Sequence, residues 1–253
     1  MPRLLVRRPA PDLTRAELTH VDRVPVDAAV ALTQWEQYVD AFRSRGWTII
    51  EVDPADGHPD GVFIEDALVV FDDLIVVCRA GAASRRGEAI TAASAARRLD
   101  LEKVAITEPG TLDGGDVLKV GRTVYVGASS RTNAEGIGQL RHLLEPRGWT
   151  VVEIPVTNVL HLKSAVTALP DGTIVGYEPL VDDTSLFPSF LPVPEAHGCA
   201  VVALDPTTVV MSADAPRTSV LLQERGLTVV TTPVTEFEKL EGCVTCLSVR
   251  LRG

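Results

Sequence analysis

One structural unit recurs along this chain: a strand, a tight turn, a second strand, a helix and a third strand. Five copies follow one another, the first of them incomplete, and the marker residues Asp66, Asp116 and His161 are 50 and 45 residues apart. Repeats of this length are typical of arrays and closed propellers. Simple βαβ winding does not require a hairpin before each helix, although an ordinary α/β domain remains the alternative.

Apolar residues at strand or helical spacing locate the elements of each unit. Helices are predicted over 26–45 and 87–99, with two more ending at 144 and 225. Three segments that carry polar residues of interest are predicted as strands, namely 62–64, 159–164 and a last strand around Cys246 that ends the fifth unit. No linker divides the chain. We therefore expect residues 1–253 to form one α/β domain, a ring of five units.

Composition limits the class of protein and its partners. Of 253 residues, 45% are apolar and 23% are charged, as in ordinary soluble proteins. The N-terminal stretch is interrupted by arginines and lacks a signal sequence, so we expect a cytoplasmic protein. A net charge of −10 argues against nucleic acid and anionic membranes as partners, but it permits a small cationic substrate.

Four cysteines are present, and in the cytoplasm they are expected to be thiols. Cys243 and Cys246 have the CxxC spacing of a redox or zinc pair. A zinc site would need a second pair, which the sequence lacks. A redox CxxC usually opens a helix, whereas this one lies in a strand-like pattern. Neither interpretation is favoured.

Cys246, His161 and Asp113 are the residue types of a nucleophilic site. A thiolate attacks carbon directly, a histidine exchanges protons near neutrality, and a carboxylate fixes the orientation of the imidazole. All three lie at the same position in their units, where a closed ring would bring them together. A lone histidine is more often structural, and the remaining four histidines lie in contexts typical of solvated side chains.

The acids and arginines of the repeat indicate a charged substrate. Glu65 and Asp66 could be a solvated turn, but carboxylates in a closed site would complement a guanidinium. Arg85 and Arg131 precede predicted helices, where a cation opposes the helix dipole and an anion is favoured. An arginine also follows the second strand in the fifth unit, at Arg217. Together these residues suit an amino-acid substrate with a cationic side chain.

An ordered set of short motifs identifies a family. The motifs are Pro59-Asp60 to Glu65-Asp66, Ser84-Arg85-Arg86-Gly87-Glu88, Pro109 to Asp116, Ser130-Arg131-Thr132-Asn133, His161-Leu162-Lys163 and Thr245-Cys246-Leu247-Ser248. In these motifs the chain resembles the dimethylarginine dimethylaminohydrolases, guanidine-modifying enzymes with the pentein fold. That fold is a five-module αβ propeller, and the resemblance extends over essentially the whole chain.

The resemblance implies a role for each matching residue. Cys246 would be the nucleophile, His161 the general acid and base, and Asp113 its partner. Asp66, supported by Glu65, would bind the guanidinium of the substrate. Asp60 and the backbone around Leu240 would bind its α-amino group. Arg85 and Arg131 would bind its carboxylate. Leu18 would lie on a mobile lid within the loop 14–26.

The implied reaction is hydrolysis of mono- or asymmetric dimethylarginine to citrulline and an amine through a covalent thiouronium. It needs no metal or organic cofactor, and a homodimer is among the expected assemblies. Arginine deiminases and amidinotransferases are the neighbouring alternatives, but they typically carry an acid where this chain has Lys163. Deiminases also tend to have Arg-Asp in place of Glu65-Asp66. A third alternative is a non-catalytic pentein that binds or assembles other molecules, but such members lack the Cys/His/acid set.

Overall fold

The computed structural model describes residues 1–251, so the last two residues of the predicted domain lie outside the described part. The strands are short: β1 Arg3–Val6, β2 Thr48–Glu51, β3 Leu68–Phe71, β4 Leu74–Val77, β5 Glu102–Ala105, β6 Val117–Val120, β7 Thr123–Ala128, β8 Thr150–Pro155, β9 Val166–Ala168, β10 Ile174–Gly176, β11 Phe190–Pro192, β12 Val201–Ala203, β13 Thr208–Ser212, β14 Thr228–Thr232 and β15 Val249–Leu251. The α-helices are α1 Ala28–Arg43, α2 Glu88–Ala96, α3 Ala134–Leu144, α4 Pro216–Glu224 and α5 Thr235–Glu238.

The strands form five three-stranded sheets of one design. In four of them an antiparallel hairpin is followed by a parallel strand, in the orders β3-β4-β5, β6-β7-β8, β9-β10-β11 and β12-β13-β14. Each unit contacts the next through strands, turns or a shared apolar cluster, and α1 of the first unit contacts β14 of the last. The predicted five-module propeller is therefore confirmed. In the fourth unit the crossover from β10 to β11 runs through 3-10 turns rather than an α-helix.

The fifth sheet joins the two ends of the chain. β15 pairs antiparallel with β1, which pairs parallel with β2, so that Arg3 faces Leu251. The prediction that the last strand ends the fifth unit is therefore wrong, because this strand supplies the missing hairpin partner of the first unit. An otherwise unpaired edge of β1 is covered in the process.

Local signals set the limits of the helices. The Asp27 side chain accepts hydrogen bonds from the backbone of Ala29 and Val30 and so caps α1. One face of α1 then buries Trp35 and Phe42 against the sheet edges. No helix among residues 1–251 has the length and apolar character needed to cross a bilayer.

Three segments predicted as strands are turns. Residues 62–64 lie in two consecutive 3-10 turns, His161 immediately precedes another at Leu162–Ser164, and Cys246 lies in a turn before β15. The apolar neighbours of these residues are buried, which produced the strand-like pattern, but burial arises here from the crowded centre of the ring rather than from sheet pairing.

Arg7 follows β1 directly, and its side chain connects the first unit to the second. Its side chain is 1% exposed, and its Nη1 donates to the Gly61 carbonyl at 2.7 Å. Its Nη2 donates to the Glu88 carbonyl at 2.9 Å and to Thr91 Oγ1 at 2.8 Å. These acceptors are buried or partly buried, so the guanidinium satisfies backbone groups that water cannot reach easily.

We expect Arg7→Ala to lower the free energy of unfolding by about 3 kcal/mol, because it removes four side-chain hydrogen bonds and leaves buried acceptors unpaired. Urea titration measures the change. Arg8→Ala is the matched control, since Arg8 makes exposed ion pairs with Glu36 and Glu51, and it should cost less than about 1 kcal/mol. Equal losses in both variants would contradict this role of Arg7.

Candidate active site

The turns that precede the first strands of the units meet at the centre of the ring. The 3-10 turns Ile64–Ala67, Gly114–Asp116 and Leu162–Ser164 contact one another in sequence. A small cavity lies beside them, lined by Glu17, Asp60, Phe63, Asp66, Arg85, Arg131, Leu160, His161, Leu240, Glu241, Gly242 and Cys246. Its volume of about 10 Å³ is the space of a single water molecule, so the surrounding side chains fill most of the site.

Cys246 and His161 line this cavity, and Asp113 lies behind the imidazole. His161 Nε2 is 3.1 Å from Asp113 Oδ2, and both side chains are buried. The other oxygen of Asp113 accepts a hydrogen bond from the Gly81 N–H at 2.9 Å, which holds the carboxylate in place. The three residues predicted from separate units of the repeat are thus brought to one place.

The environment of His161 favours its protonated form. Burial lowers the pKa of the imidazole, but the Asp66 charge, the hydrogen bond to Asp113 and the Asp116 charge outweigh it and raise the pKa to about 9. His161 Nδ1 lies 3.8 Å from Asp66 Oδ1. At neutral pH the site therefore holds an imidazolium between carboxylates.

Gly115 allows this arrangement to be so compact. A Cβ atom at this position would lie 2.6 Å from His161 Nδ1 and 2.8 Å from Asp66 Oδ1, closer than side chains can pack. The Gly115 N–H instead donates to Asp66 Oδ1 at 2.9 Å. Glycine at this position thus permits a close approach of the backbone to both side chains.

Asp116 supports the site from behind, a role that the sequence reasoning missed. It is fully buried, and its Oδ1 accepts from the Leu162 N–H at 2.9 Å, which fixes the turn that follows His161. Its Oδ2 accepts from Ser129 Oγ at 2.6 Å. Burial raises the pKa of Asp116 to about 6. Its regular place in the repeat was the available signal.

Arg85 is committed to two buried carboxylates. Its Nη1 donates to Asp66 Oδ2 at 2.9 Å, while Nε and Nη2 form a bidentate pair with Glu88. Three of the five N–H donors of a guanidinium are used in this way, which leaves two. Burial raises the pKa of Asp66, but the positive charges of His161 and Arg85 outweigh it, so that the pKa is lowered.

Arg131 differs from Arg85 because part of its guanidinium makes no hydrogen bond. The residue is 8% exposed, and its buried Nη1 makes no hydrogen bond. The nearest carboxylate oxygen, from Glu17, lies 3.6 Å away. Arg217, the corresponding arginine of the fifth unit, is exposed and does not line the cavity. Position in the repeat alone therefore did not determine which arginines face the centre.

The loop that contains Leu18 covers the cavity, although Leu18 itself does not line it. Leu18 is half-buried and packs against the apolar core around α1, whereas its neighbour Glu17 faces the cavity. The Glu17 N–H donates to the Asp60 carboxylate at 3.1 Å. Glu241 accepts hydrogen bonds from the N–H groups of Thr19 and His20 at 2.6 and 2.8 Å and so ties the loop down.

Glu65 faces away from this cavity. It pairs with Lys163 at 2.6 Å and with Arg250 at 2.5 Å, and it lines a separate, larger cavity of about 400 Å³ along the ring. Burial raises the pKa of Glu65, but the two cations more than offset it, so that the pKa is lowered. Lys163, which distinguishes this chain from the neighbouring families in sequence, thus neutralises Glu65.

Comparison with known proteins identifies the family. No model of a known protein family matches the chain. It is 56% identical to the dimethylarginine dimethylaminohydrolase of Streptomyces coelicolor over 98% of this chain and 96% of the relative. The chain belongs to the dimethylarginine dimethylaminohydrolase family. The enzyme of Pseudomonas aeruginosa is 31% identical over 98% of both chains.

Solved structures of this family share the fold. A citrulline complex of the P. aeruginosa dimethylarginine dimethylaminohydrolase superposes with a TM-score of 0.91 at 30% identity, over 98% of each chain. The N-terminal domain of a cyanobacterial arginine dihydrolase matches with a TM-score of 0.83, over 99% of this chain and 98% of that domain. Its identity of 22% supports similarity of fold alone.

Possible metal ligands lie close together at two places in the described part of this dimethylarginine dimethylaminohydrolase family member. One is Asp66, Asp113 and His161, and the other is the surface group His197, Asp214 and Glu238; within each group the ligand atoms lie within 4.8 Å. In the first, Arg85 and the hydrogen bond from His161 to Asp113 already occupy carboxylate oxygens. Hydrogen bonds and ion pairs thus explain why Asp66, Asp113 and His161 lie close together.

We expect Asp113→Asn to lower the pKa of His161 from about 9, since the neutral amide no longer stabilises the imidazolium. A raised folded-state pKa adds stability below the unfolded value of 6.5, which is lost as pH rises through about 9. The variant should therefore lose less stability than the wild type between pH 7 and 9. NMR titration of the imidazole and denaturation at several pH values measure both effects.

Asp214→Asn is the control, because Asp214 pairs with the exposed His197 at 3.2 Å, away from the cavity. It should leave the His161 titration unchanged. A His161 resonance that titrates near 6.5 in the wild type, or that Asp113→Asn does not move, would contradict the assignment of its charge to these carboxylates.

Proposed function

We propose that this protein hydrolyses Nω-methylated arginines, either mono- or asymmetric dimethylarginine, to citrulline and methylamine or dimethylamine. Family membership supports the reaction, and the P. aeruginosa relative has been solved with citrulline bound. The observation that carries the proposal is the convergence of a cysteine, a protonated histidine and a buried carboxylate on one cavity, in Cys246, His161 and Asp66.

Charge complementarity assigns the substrate's groups to the cavity. Asp66 would bind the guanidinium, and Asp60 with the Leu240 backbone would take the α-amino group. The Nη1 of Arg131, which makes no hydrogen bond, and the remaining donors of Arg85 would hold the α-carboxylate. Both Asp60 and Arg131 already contact the Glu17 segment, so substrate entry requires this loop to move away.

Leu18 and Glu65 would act less directly than the matched motifs imply. Leu18 would anchor the covering loop through its packing against the core around α1. Glu65 would hold the Cys246 turn from the other side, because its N–H donates to the Cys246 carbonyl at 3.2 Å. Its carboxylate would also neutralise Lys163 and Arg250 at the centre of the ring.

In the proposed mechanism, the Cys246 thiolate attacks the central carbon of the guanidinium and forms a C–S bond. His161 gives its proton to the departing amine nitrogen, the C–N bond breaks, and a covalent thiouronium remains. The neutral imidazole then takes a proton from water, which attacks the same carbon. The C–S bond breaks, the added hydroxyl group gives its proton to solvent, and citrulline and the thiolate are released.

The protonation states in the free protein suit this sequence. His161, with a pKa of about 9, carries at neutral pH the proton that the leaving amine needs. A hydrogen bond to Cys243 and burial raise the pKa of Cys246, so this thiol is protonated before substrate binds. A cationic guanidinium beside the sulfur would favour its ionisation, and this would couple activation of the nucleophile to binding.

The remaining expectations stay predictions. The four cysteines are unpaired thiols, in keeping with the reducing cytoplasm that we propose as the location. A single domain and a homodimer are likewise proposed. Supporting evidence would come from cooperative unfolding and from the mass of the protein in solution.

The first test measures citrulline and amine formation from asymmetric dimethylarginine, with arginine alongside. Cys246→Ser should lose at least about a thousandfold in turnover, since a hydroxyl is a far weaker nucleophile here. Cys199→Ala is the matched control, because Cys199 is a buried thiol outside the cavity. Turnover of arginine with ammonia release would indicate a deiminase, and no turnover of either substrate would favour a non-catalytic binder.

We expect Arg131→Gln to raise KM for the methylarginine at least about tenfold with a smaller change in kcat, because the guanidinium would bind a carboxylate remote from the reacting carbon. Arg217→Gln is the control, as it changes the exposed arginine at the equivalent place in the repeat. An unchanged KM in Arg131→Gln would rule out its carboxylate contact.

A further inference from the structure

Cys243 is an ionisable group at the site that the proposed mechanism does not use. Its sulfur lies 3.4 Å from the sulfur of Cys246 and 3.2 Å from Thr245 Oγ1. Cys246 faces the cavity, and Cys243 is half-buried on the same turn. A second thiol in contact with the nucleophile calls for a chemical explanation.

The backbone holds the two cysteines in a geometry that suits a disulfide. The Cys246 N–H donates to the Cys243 carbonyl at 3.1 Å and closes a turn across residues 243–246. The first and last Cα atoms of such a turn lie within about 7 Å of each other. Disulfides need Cα atoms about 4.4–6.8 Å apart. A small rotation of the side chains would bring the sulfurs to bonding distance.

The two sulfurs also share a proton unequally. The hydrogen bond between the two sulfurs lowers the pKa of Cys243 to about 7, although burial opposes this. The same hydrogen bond, with burial, raises the pKa of Cys246. Near neutrality the pair therefore combines a thiolate with a neighbouring thiol, which is the combination found in oxidation-sensitive dithiols.

The geometry points to a modification site: a hydroperoxide oxidises Cys243 and Cys246 to a reversible disulfide that removes the nucleophile from catalysis. The consequence for activity rests on the proposed function, whereas disulfide formation itself does not. Cys78 and Cys199 offer no such site, since each is buried and its sulfur contacts a backbone carbonyl, of Val76 and Ser164 respectively, rather than another sulfur.

The peroxide is the only oxidant that disulfide formation needs. The Cys243 thiolate attacks one peroxide oxygen, the O–O bond breaks, and hydroxide or alkoxide leaves, so that Cys243 becomes a sulfenic acid. The Cys246 sulfur then attacks the sulfenic sulfur as its proton departs. The S–O bond breaks, water is released and the S–S bond forms. Two thiols have been oxidised and one peroxide reduced, and an external dithiol reverses the result.

The test uses the reduced full-length protein, treated with hydrogen peroxide, alkylated and digested with trypsin. Cleavage after Lys239 and Arg250 places both cysteines of the pair in one peptide, 240–250, which contains neither Cys78 nor Cys199. We expect this peptide to resist alkylation and to be lighter by two hydrogen atoms. Turnover of methylarginine should fall at least about tenfold, and dithiothreitol should restore both the mass and the activity.

In Cys243→Ser the peptide should no longer lose two hydrogens. The part of the inactivation that dithiothreitol reverses should also disappear. Cys199→Ala should retain both. The activity of each variant is compared with that of the same variant without peroxide. Gain of oxygen on peptide 240–250 of the wild type, without the two-hydrogen loss, would overturn the proposal, as would reversible inactivation that persists in Cys243→Ser. The mass readout needs no turnover, so it separates failure of this proposal from failure of the proposed function.

Discussion

Pairing of β15 with β1 is the contact on which the rest of this molecule depends. It joins the two ends of the chain in one sheet and closes five units into a ring. Cys246 lies three residues before β15, so the same pairing carries this cysteine to the turns that hold Asp66 and His161. The pairing of β15 with β1 therefore both covers the edge of β1 and completes the cavity, so the cavity can exist only in the closed ring.

The closed ring then imposes a balance of buried charge at its centre. A buried ion must be paired and hydrogen-bonded, because its desolvation costs several kcal/mol. Arg85 meets this requirement with Asp66 and Glu88, and His161 meets it with Asp113. Backbone N–H groups, such as that of Gly115, satisfy further carboxylate oxygens. The groups that would bind and protonate a guanidine substrate are consequently held in position before it arrives.

The turn that carries Cys246, the proposed nucleophile, makes this thiol both controllable by its neighbours and open to oxidation. The hydrogen bond with Cys243 and burial raise the pKa of Cys246, which favours the less reactive thiol over the thiolate. The same contact places a more acidic thiol beside it, where an oxidant could join the two sulfurs. Glu65, whose N–H bonds the Cys246 carbonyl, holds this turn against the centre of the ring.

The sequence by itself determined the repeat, the hairpins, the four longer helices and the choice of a candidate Cys/His/acid set, because periodicity and motif spacing are local properties. It did not determine that Cys246 and His161 lie in turns, since their buried neighbours imitate a strand. Nor did it distinguish Arg131, which faces the cavity, from the exposed Arg217 at the same place in the repeat, or indicate that Glu17 lies against the site. Only the tertiary structure decided these points, because each depends on contacts between units that are far apart in the chain and adjacent in the ring.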